Sequence, residues 1–378
     1  MQRRSLLAPV LSMPFLSRQA HAQAFGSGSA PDRPLTEIAT SRGFTFGVAI
    51  KGTQLAEEPV FAALVALEAG LLVPEYEAKF AALQPEQGRF DPAPLDAVLN
   101  WAQAFRKPVR GHALVWHQDL PDWARTALAG GATRARAVMT AHFDVALTVA
   151  RRQIRDWDVV NEPIANPPGS DLPEPPGNNG DLRDTPWLRA LGPDYVAIAF
   201  REARARDATL RLTLNDYGVE ADTPPAEEKR RRLLRLLTSL RERNVPIDAV
   251  GIQAHLQMRE AFRPDVFRNF VRQIRALDLQ VLITELDMRE NRPPMGTHAE
   301  RDLAVAHRVH AFASSAFEGG ARTLLTWGLS DRWTWLQREP AVAMPTGEVH
   351  RGLPFDWELN RKPMWRALAR AFLGQPAG

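Results

Sequence analysis

Cysteine is absent from all 378 residues, which excludes disulfides, thiolate metal sites and a cysteine nucleophile. That absence does not place the protein on either side of a membrane. Lysine occurs only at 51, 79, 107, 229 and 362, so nearly all the positive charge is arginine, and the formal net charge is only +3. No run of basic and aromatic residues marks a nucleic-acid surface, and no nucleic-acid partner is expected. No segment approaches the ~20 apolar residues that a membrane-spanning helix needs. The glycine-rich loop of an open, doubly wound nucleotide fold is missing too, and the chain has no internal repeat.

The N-terminus carries an address. Arg3 and Arg4 precede a weakly apolar stretch from Leu6 to Leu16, followed by Ala20-His21-Ala22, a small-x-small cleavage pattern. Residues 1–22 therefore read as an export signal of twin-arginine type, with a general secretory signal as the alternative, and the protein is expected to be periplasmic or secreted. Residues 23–34, rich in Gly, Ser and Pro, read as a flexible lead-in, and residues 35–374 as one domain.

Within that domain, strand and helix patterns alternate. Expected strands are Phe44–Ala49, Leu71–Val73, Pro108–Trp116, Trp157–Glu162, Leu210–Asn215, Ala249–His255, Val281–Glu285 and Arg322–Trp327. Helical patterns lie between them, such as Glu58–Ala69 and Lys229–Arg243. The latter carries leucines at 233, 234, 236, 237 and 240 and a basic face expected to be solvated. Eight alternations predict a single-domain α/β protein, a (β/α)8 TIM barrel. Asn166–Gly180, rich in Pro, Gly and Asn, predicts an irregular surface loop over the cleft.

Two strands end abnormally. Trp157-Asp158-Val159-Val160-Asn161-Glu162-Pro163 and Val281-Leu282-Ile283-Thr284-Glu285-Leu286-Asp287 each run from a buried apolar segment into a carboxylate. In a parallel barrel the carboxyl ends of all strands share one face, so Glu162 and Glu285 can become neighbours. Paired carboxyls are what glycoside hydrolysis requires, one holding a proton for the leaving oxygen and the other staying ionised. The first is expected to have a raised pKa.

Six motifs in order carry a family resemblance: Gly111-His112-Ala113-Leu114-Val115-Trp116-His117, Trp157 to Glu162, Leu214-Asn215-Asp216-Tyr217, Gly251-Ile252-Gln253-Ala254-His255-Leu256, Ile283-Thr284-Glu285-Leu286-Asp287, and Trp327-Gly328-Leu329-Ser330-Asp331 with Trp335. The chain resembles glycoside hydrolase family 10, the endo-β-1,4-xylanases, from Phe44 to Phe372. The resemblance implies a retaining xylan hydrolase with Glu162 as acid/base and Glu285 as nucleophile, needing no cofactor and no metal. It makes Asn161, His255 and Asp287 the supporting residues. It implies sugar contacts from Glu75, Lys79, His112 and Gln253, sugar platforms from Trp116, Trp327 and Trp335, and Tyr217 on the leaving-group side. Xylan or a xylo-oligosaccharide is the expected partner, and the chain is expected to be monomeric.

The sequence departs from the family pattern in one region. Glu75-Tyr76-Glu77-Ala78-Lys79-Phe80 stands where the family commonly has Glu-Asn-Glu-x-Lys-Trp, and Gln118-Asp119 replaces Ser-Gln. Tyr76 is expected to re-tune the glycone side, with packing against Phe80 as the alternative. Rival readings are a barrel β-1,4-glucanase or other β-glycanase of the same clan, and a polysaccharide-binding protein without catalysis.

Overall fold

The computed structural model describes residues 33–150, 153–170, 180–344 and 348–377. The expected leader, and the lead-in up to residue 32, lie outside the described residues. Among the described residues, nine strands follow in chain order: β1 (Thr45–Ile50), β2 (Leu71–Pro74), β3 (Val109–Gly111), β4 (Ile154–Asn161), β5 (Arg211–Asp216), β6 (Ala249–Ile252), β7 (His255–Gln257), β8 (Gln280–Arg289) and β9 (Thr323–Thr326). Each of β1 to β5 pairs in parallel with the next, β9 pairs with β1 and β8, and β6 pairs with β8 to close the ring. The result is an eight-stranded (β/α)8 barrel, with β7 a short extension alongside the end of β8.

The barrel strands are covered on both faces, which is why they read as continuous apolar runs rather than alternating ones. Close packing at their ends needs particular residues. At Gly111 a Cβ would stand 2.2 Å from the Trp157 ring, so only glycine lets that buried indole lie against β3. The helices supply the outer wall through one apolar stripe each. Helix Pro264–Arg275 buries Phe267, Phe270, Val271 and Ile274 at helical spacing, and each such side chain contributes about 1.5–3 kcal/mol of burial. Buried Glu68 ties the start of the barrel domain to its last helix, accepting from the Leu35 backbone N–H at 2.7 Å and Trp365 Nε1 at 3.1 Å, and pairing with Arg361 at 2.8 Å.

Most strand boundaries fall within a residue or two of expectation; β4 begins three residues early, at Ile154, and three other strands differ too. The third strand stops at Gly111 rather than Trp116, because the ladder breaks at His112, whose ring turns in to Asp158. Pairing with β4 resumes at Leu114 and Val115. The sixth strand, expected unbroken to His255, is split at Ala254, which takes a left-handed φ of 63° and so re-aims the residue that follows. β8 runs on to Arg289, well past Glu285.

Two further expectations are corrected. The helix after β5 spans Pro224–Glu242, and Lys229 is wholly buried instead of lying on a solvated face. Its ammonium reaches inward to Asp216 at 3.1 Å and Asn166 at 2.9 Å, where partners offset its desolvation. Asn166 is accordingly buried, not part of a surface loop. Of that expected loop, residues 171–179 lie outside the described residues.

Candidate active site

β4 delivers Glu162 and β8 delivers Glu285 to the same face of the barrel. Glu162 follows the last strand residue in a left-handed conformation, φ 58°, immediately before Pro163, and the ladder stops there. A non-glycine residue in that region costs about 1–3 kcal/mol and persists only where its surroundings impose it. Its carboxylate is buried and accepts hydrogen bonds from Trp116 Nε1 at 2.9 Å, Gln253 Nε2 at 3.0 Å and Asn161 Nδ2 at 3.3 Å.

The expected raised pKa of the acid/base is not found. Burial pushes the Glu162 carboxyl up, but the Arg183 guanidinium, His117 and the donated hydrogen bonds outweigh it and hold the pKa below the usual value. His117 is itself pushed down to about 4, chiefly by burial, so near neutral pH it adds little positive charge beside Arg183.

Glu285 lies among different partners. Its Oε1 accepts from Asn215 Nδ2 at 2.7 Å, and its Oε2 stands 3.1 Å from His255 Nε2. The other ring nitrogen of His255 lies 3.0 Å from Asp287 Oδ1, and Asp287 Oδ2 accepts from Trp335 Nε1 at 2.6 Å. Burial opposes protonation of His255, but Asp287 and Glu285 override it and push its pKa up to about 10. The ring is therefore an imidazolium that donates to a carboxylate on each side.

Asn215 connects the two halves, and sequence reasoning assigned it no role. It donates to both Glu285 and Asn161 Oδ1, the latter at 2.9 Å, and accepts from Thr284 Oγ1 at 2.7 Å. The space above it exists because residue 251 is glycine; a Cβ there would sit 2.2 Å from Asn215 Oδ1. Also missed was Asp158, which holds His112 Nδ1 at 2.9 Å and forms a two-pronged pair with buried Arg110. Both residues are polar at positions where a doubly covered strand would otherwise be apolar, and that was the available signal.

The remaining expected residues surround this centre. Lys79 Nζ lies 4.5 Å from the centroid of the Trp116 ring, and Glu75 pairs with Lys51 at 3.0 Å. Gln253 spends its amide on Glu162 and Asn161. Trp335 packs edge-on to His255, ring centroids 5.1 Å apart, while Trp327 is only 7% exposed and belongs largely to the core beside Ala49, Leu71 and Val73. Tyr217 is also buried, its hydroxyl accepting from Asn166 and Arg183. Tyr76 is 50% exposed, whereas Phe80 is buried and stacks on His142 at 3.9 Å. Of the two departures from the family pattern there, only Tyr76 is therefore open to solvent. Among the described residues, no group of three or more His, Asp or Glu side chains is placed to hold a metal ion.

A buried carboxylate clamped by an imidazolium, linked through two asparagines to a second carboxylate held by neutral donors, can divide nucleophile and proton-carrier roles between the two. Comparison with known proteins leads to the same chemistry. The model of the family described as Glycosyl hydrolase family 10 matches residues 34–371. Endo-1,4-beta-xylanase 5 of Pyricularia oryzae is 29% identical over 374 residues, covering 98% of this chain and 86% of its own length. An exoglucanase of Acetivibrio thermocellus is 28% identical over 341 residues; the match takes in 86% of this chain but 28% of that much longer protein. Among solved structures, an endo-1,4-beta-xylanase of Penicillium canescens matches with a TM-score of 0.79 at 25% identity, over 91% of this chain and 99% of that one. Native xylanase 10B of Thermotoga maritima matches with 0.77 at 25% identity, over 90% and 98%.

Proposed function

Because the chain belongs to glycosyl hydrolase family 10, we propose that it hydrolyses internal β-1,4-xylosidic bonds of xylan with retention of anomeric configuration. The observation that carries this reading is the asymmetric pair: Glu285 against the His255 imidazolium, and Glu162 among neutral donors.

In the first step a Glu285 carboxylate oxygen attacks the anomeric carbon, the bond to the leaving sugar breaks, and Glu162 gives its proton to the departing oxygen. In the second, water attacks the same carbon, Glu162 takes the water's proton, and Glu285 is released. Glu162 must be protonated to start. Seating a sugar against it removes its remaining contact with water, and that acts in the raising direction. Asn161, positioned by Asn215, is assigned to the sugar 2-hydroxyl. Glu75, Lys79, His112 and Gln253 are assigned to the glycone side and Tyr217 to the leaving-group side. The exposed faces of Trp116 and Trp335, with the rim of Trp327, suit the apolar faces of pyranose rings.

The protein is further proposed to act as an exported monomer, residues 1–22 serving as its leader, without cofactor or metal. No helix among the described residues is long and apolar enough to cross a membrane. The test is product analysis on xylan, arabinoxylan and carboxymethylcellulose side by side, with NMR of the first-formed anomer. Oligosaccharides from xylan, initially β, are expected. An initial α product overturns the mechanism. Preference for carboxymethylcellulose would favour the glucanase reading, to which the exoglucanase relative lends support, and binding without new reducing ends would favour a non-catalytic protein.

A further inference from the structure

Arg183 is buried, and it stands outside the motifs by which the family was recognised. It comes to the active site because the chain after β4 folds back on itself: Ile164 and Leu182 form an antiparallel bridge, and the Ala165 N–H bonds the Asp181 carbonyl at 2.9 Å. In that position Arg183 occupies three successive carbonyls. Its Nε donates to Glu162 O at 2.9 Å, its backbone N–H to Pro163 O at 2.7 Å, and its Nη2 to Ile164 O at 3.3 Å. The same Nη2 reaches the Tyr217 hydroxyl at 2.9 Å.

These contacts meet a specific need. Glu162 sits in the left-handed region; its N–H still bonds Asn215 O at 2.8 Å, but the proline that follows has no N–H to continue the ladder. Donors from outside the ladder must satisfy the turn's buried carbonyls. We propose that Arg183 is the positioning residue of the acid/base: it locks the left-handed turn that aims the Glu162 carboxyl and sets a permanent positive charge behind it. The proposal rests on the assignment of Glu162 as proton carrier.

The charges around Glu162 make the electrostatic part testable. From the segment after β3 come Trp116 and His117, the latter neutral near pH 7. The end of β5 brings Asp216, with Tyr217 just after it, and the following helix brings Lys229, whose ammonium is paired with Asp216. β6 brings the neutral Gln253, and the chain Asn161–Asn215 separates Glu162 from Glu285. Arg183 and Lys229 both favour the ionised acid/base, and Arg183 is the one bonded directly to the Glu162 backbone.

The experiment compares Arg183→Gln, which keeps donors but removes charge, with Arg183→Lys, which keeps charge but cannot span the two carbonyls and the Tyr217 hydroxyl that the guanidinium reaches. In Arg183→Gln the alkaline limb of kcat/KM on xylan should move up by about one pH unit, since an opposing charge is lost. In Arg183→Lys the limb should stay in place while kcat falls more on xylan than on an aryl xylobioside whose leaving group needs no proton. An unmoved limb in Arg183→Gln, with only a lower melting temperature, would overturn the proposal. Should Arg183→Gln not fold, Arg183→Lys decides alone, and equal losses on both substrates would overturn it. Titration of the Glu162 carboxyl by carbon NMR, assigned with Glu162→Gln, reports the same shift independently of activity. A protein that cleaves no xylan would therefore refute the functional reading without deciding this one.

Discussion

Glu162 and Glu285 are 6% and 4% exposed, yet different chemistry holds each of them. Glu285 is bound to a charged ring that is itself clamped by Asp287, so removing its negative charge would break an ion pair. The side-chain donors to Glu162 are an indole, an amide from Gln253 and an amide from Asn161, and its nearby cation grips the backbone behind it. Equal burial with unequal partners leaves one carboxylate bonded directly to a cation and the other bonded directly only by neutral donors. For a double displacement, the first suits the nucleophile and the second the acid/base.

Removing each carboxyl in turn breaks this comparison most severely. Glu285→Ala should lower turnover about 10⁵-fold or more on every substrate, the scale of losing a covalent nucleophile. Glu162→Ala should cost about 10²–10⁴-fold on xylan but much less for the glycosylation step on an activated aryl xylobioside, and azide should restore breakdown of the intermediate. If Glu285→Ala retained turnover on the activated substrate, the two roles would have to be exchanged.

The link between the halves comes next. Asn215→Ala removes a donor from both Glu285 and Asn161 and strands the Thr284 hydroxyl, so kcat should fall about 10²-fold, the scale of losing one aligned donor in an active site. Gly251→Ala should produce a related defect, because its Cβ would displace Asn215. A normal kcat in Gly251→Ala, with Asn215 unmoved in its crystal structure, would contradict this account.

A pH experiment sharpens the contrast without altering the carboxyls. The folded-state pKa of His255 is raised from 6.5 to about 10, so the folded protein binds that proton more tightly than the unfolded chain does. Its stabilising contribution is then complete below about pH 6.5 and is lost as pH rises through 10. The difference in urea stability between the native protein and His255→Gln should be largest near pH 6 and shrink above pH 9. His142 runs the other way. Burial against Phe80 drives its pKa down to about 3, so its neutral form favours folding above pH 6.5, and that contribution is lost as pH falls towards 3. A stability difference for His255→Gln that grew with pH would mean that the ring is neutral.

The smallest effect is expected at Tyr76, half exposed near Asp119 and Glu77. Tyr76→Asn should change product lengths from xylotriose through xylohexaose by about tenfold in relative rate at most, roughly one sugar hydrogen bond, and leave the shortest activated substrate unaffected. Its exposure, and the stacking of Phe80 on His142, argue against a packing role. A lower melting temperature with unchanged products would restore one.

The features written in local periodicity and in polar residues at strand ends were legible in the chain alone. Eight apolar runs separated by helical stripes sufficed for a barrel, because a parallel strand covered on both faces leaves a continuous apolar signature. Glu162, Glu285, Asn161, His255 and Asp287 stood out as polar groups that such runs would not otherwise hold. Tertiary structure alone decided which partner each one met. The break at Ala254 depends on a left-handed residue with no glycine to announce it, and it is followed by the histidine that meets Glu285. Asn215 gained its role from register: it lies opposite Asn161 on one side and Gly251 on the other, a fact of strand pairing that no single segment encodes. Lys229 read as part of a solvated face because a helix of arginines gives no local sign of which cation will find buried acceptors. The direction of the Glu162 pKa was hidden for the same reason. Burial can be inferred from a strand's composition, but Arg183, twenty-one residues further on, comes to the Glu162 carbonyl only after the chain folds back, and its charge together with His117 and the donated hydrogen bonds outweighs the desolvation.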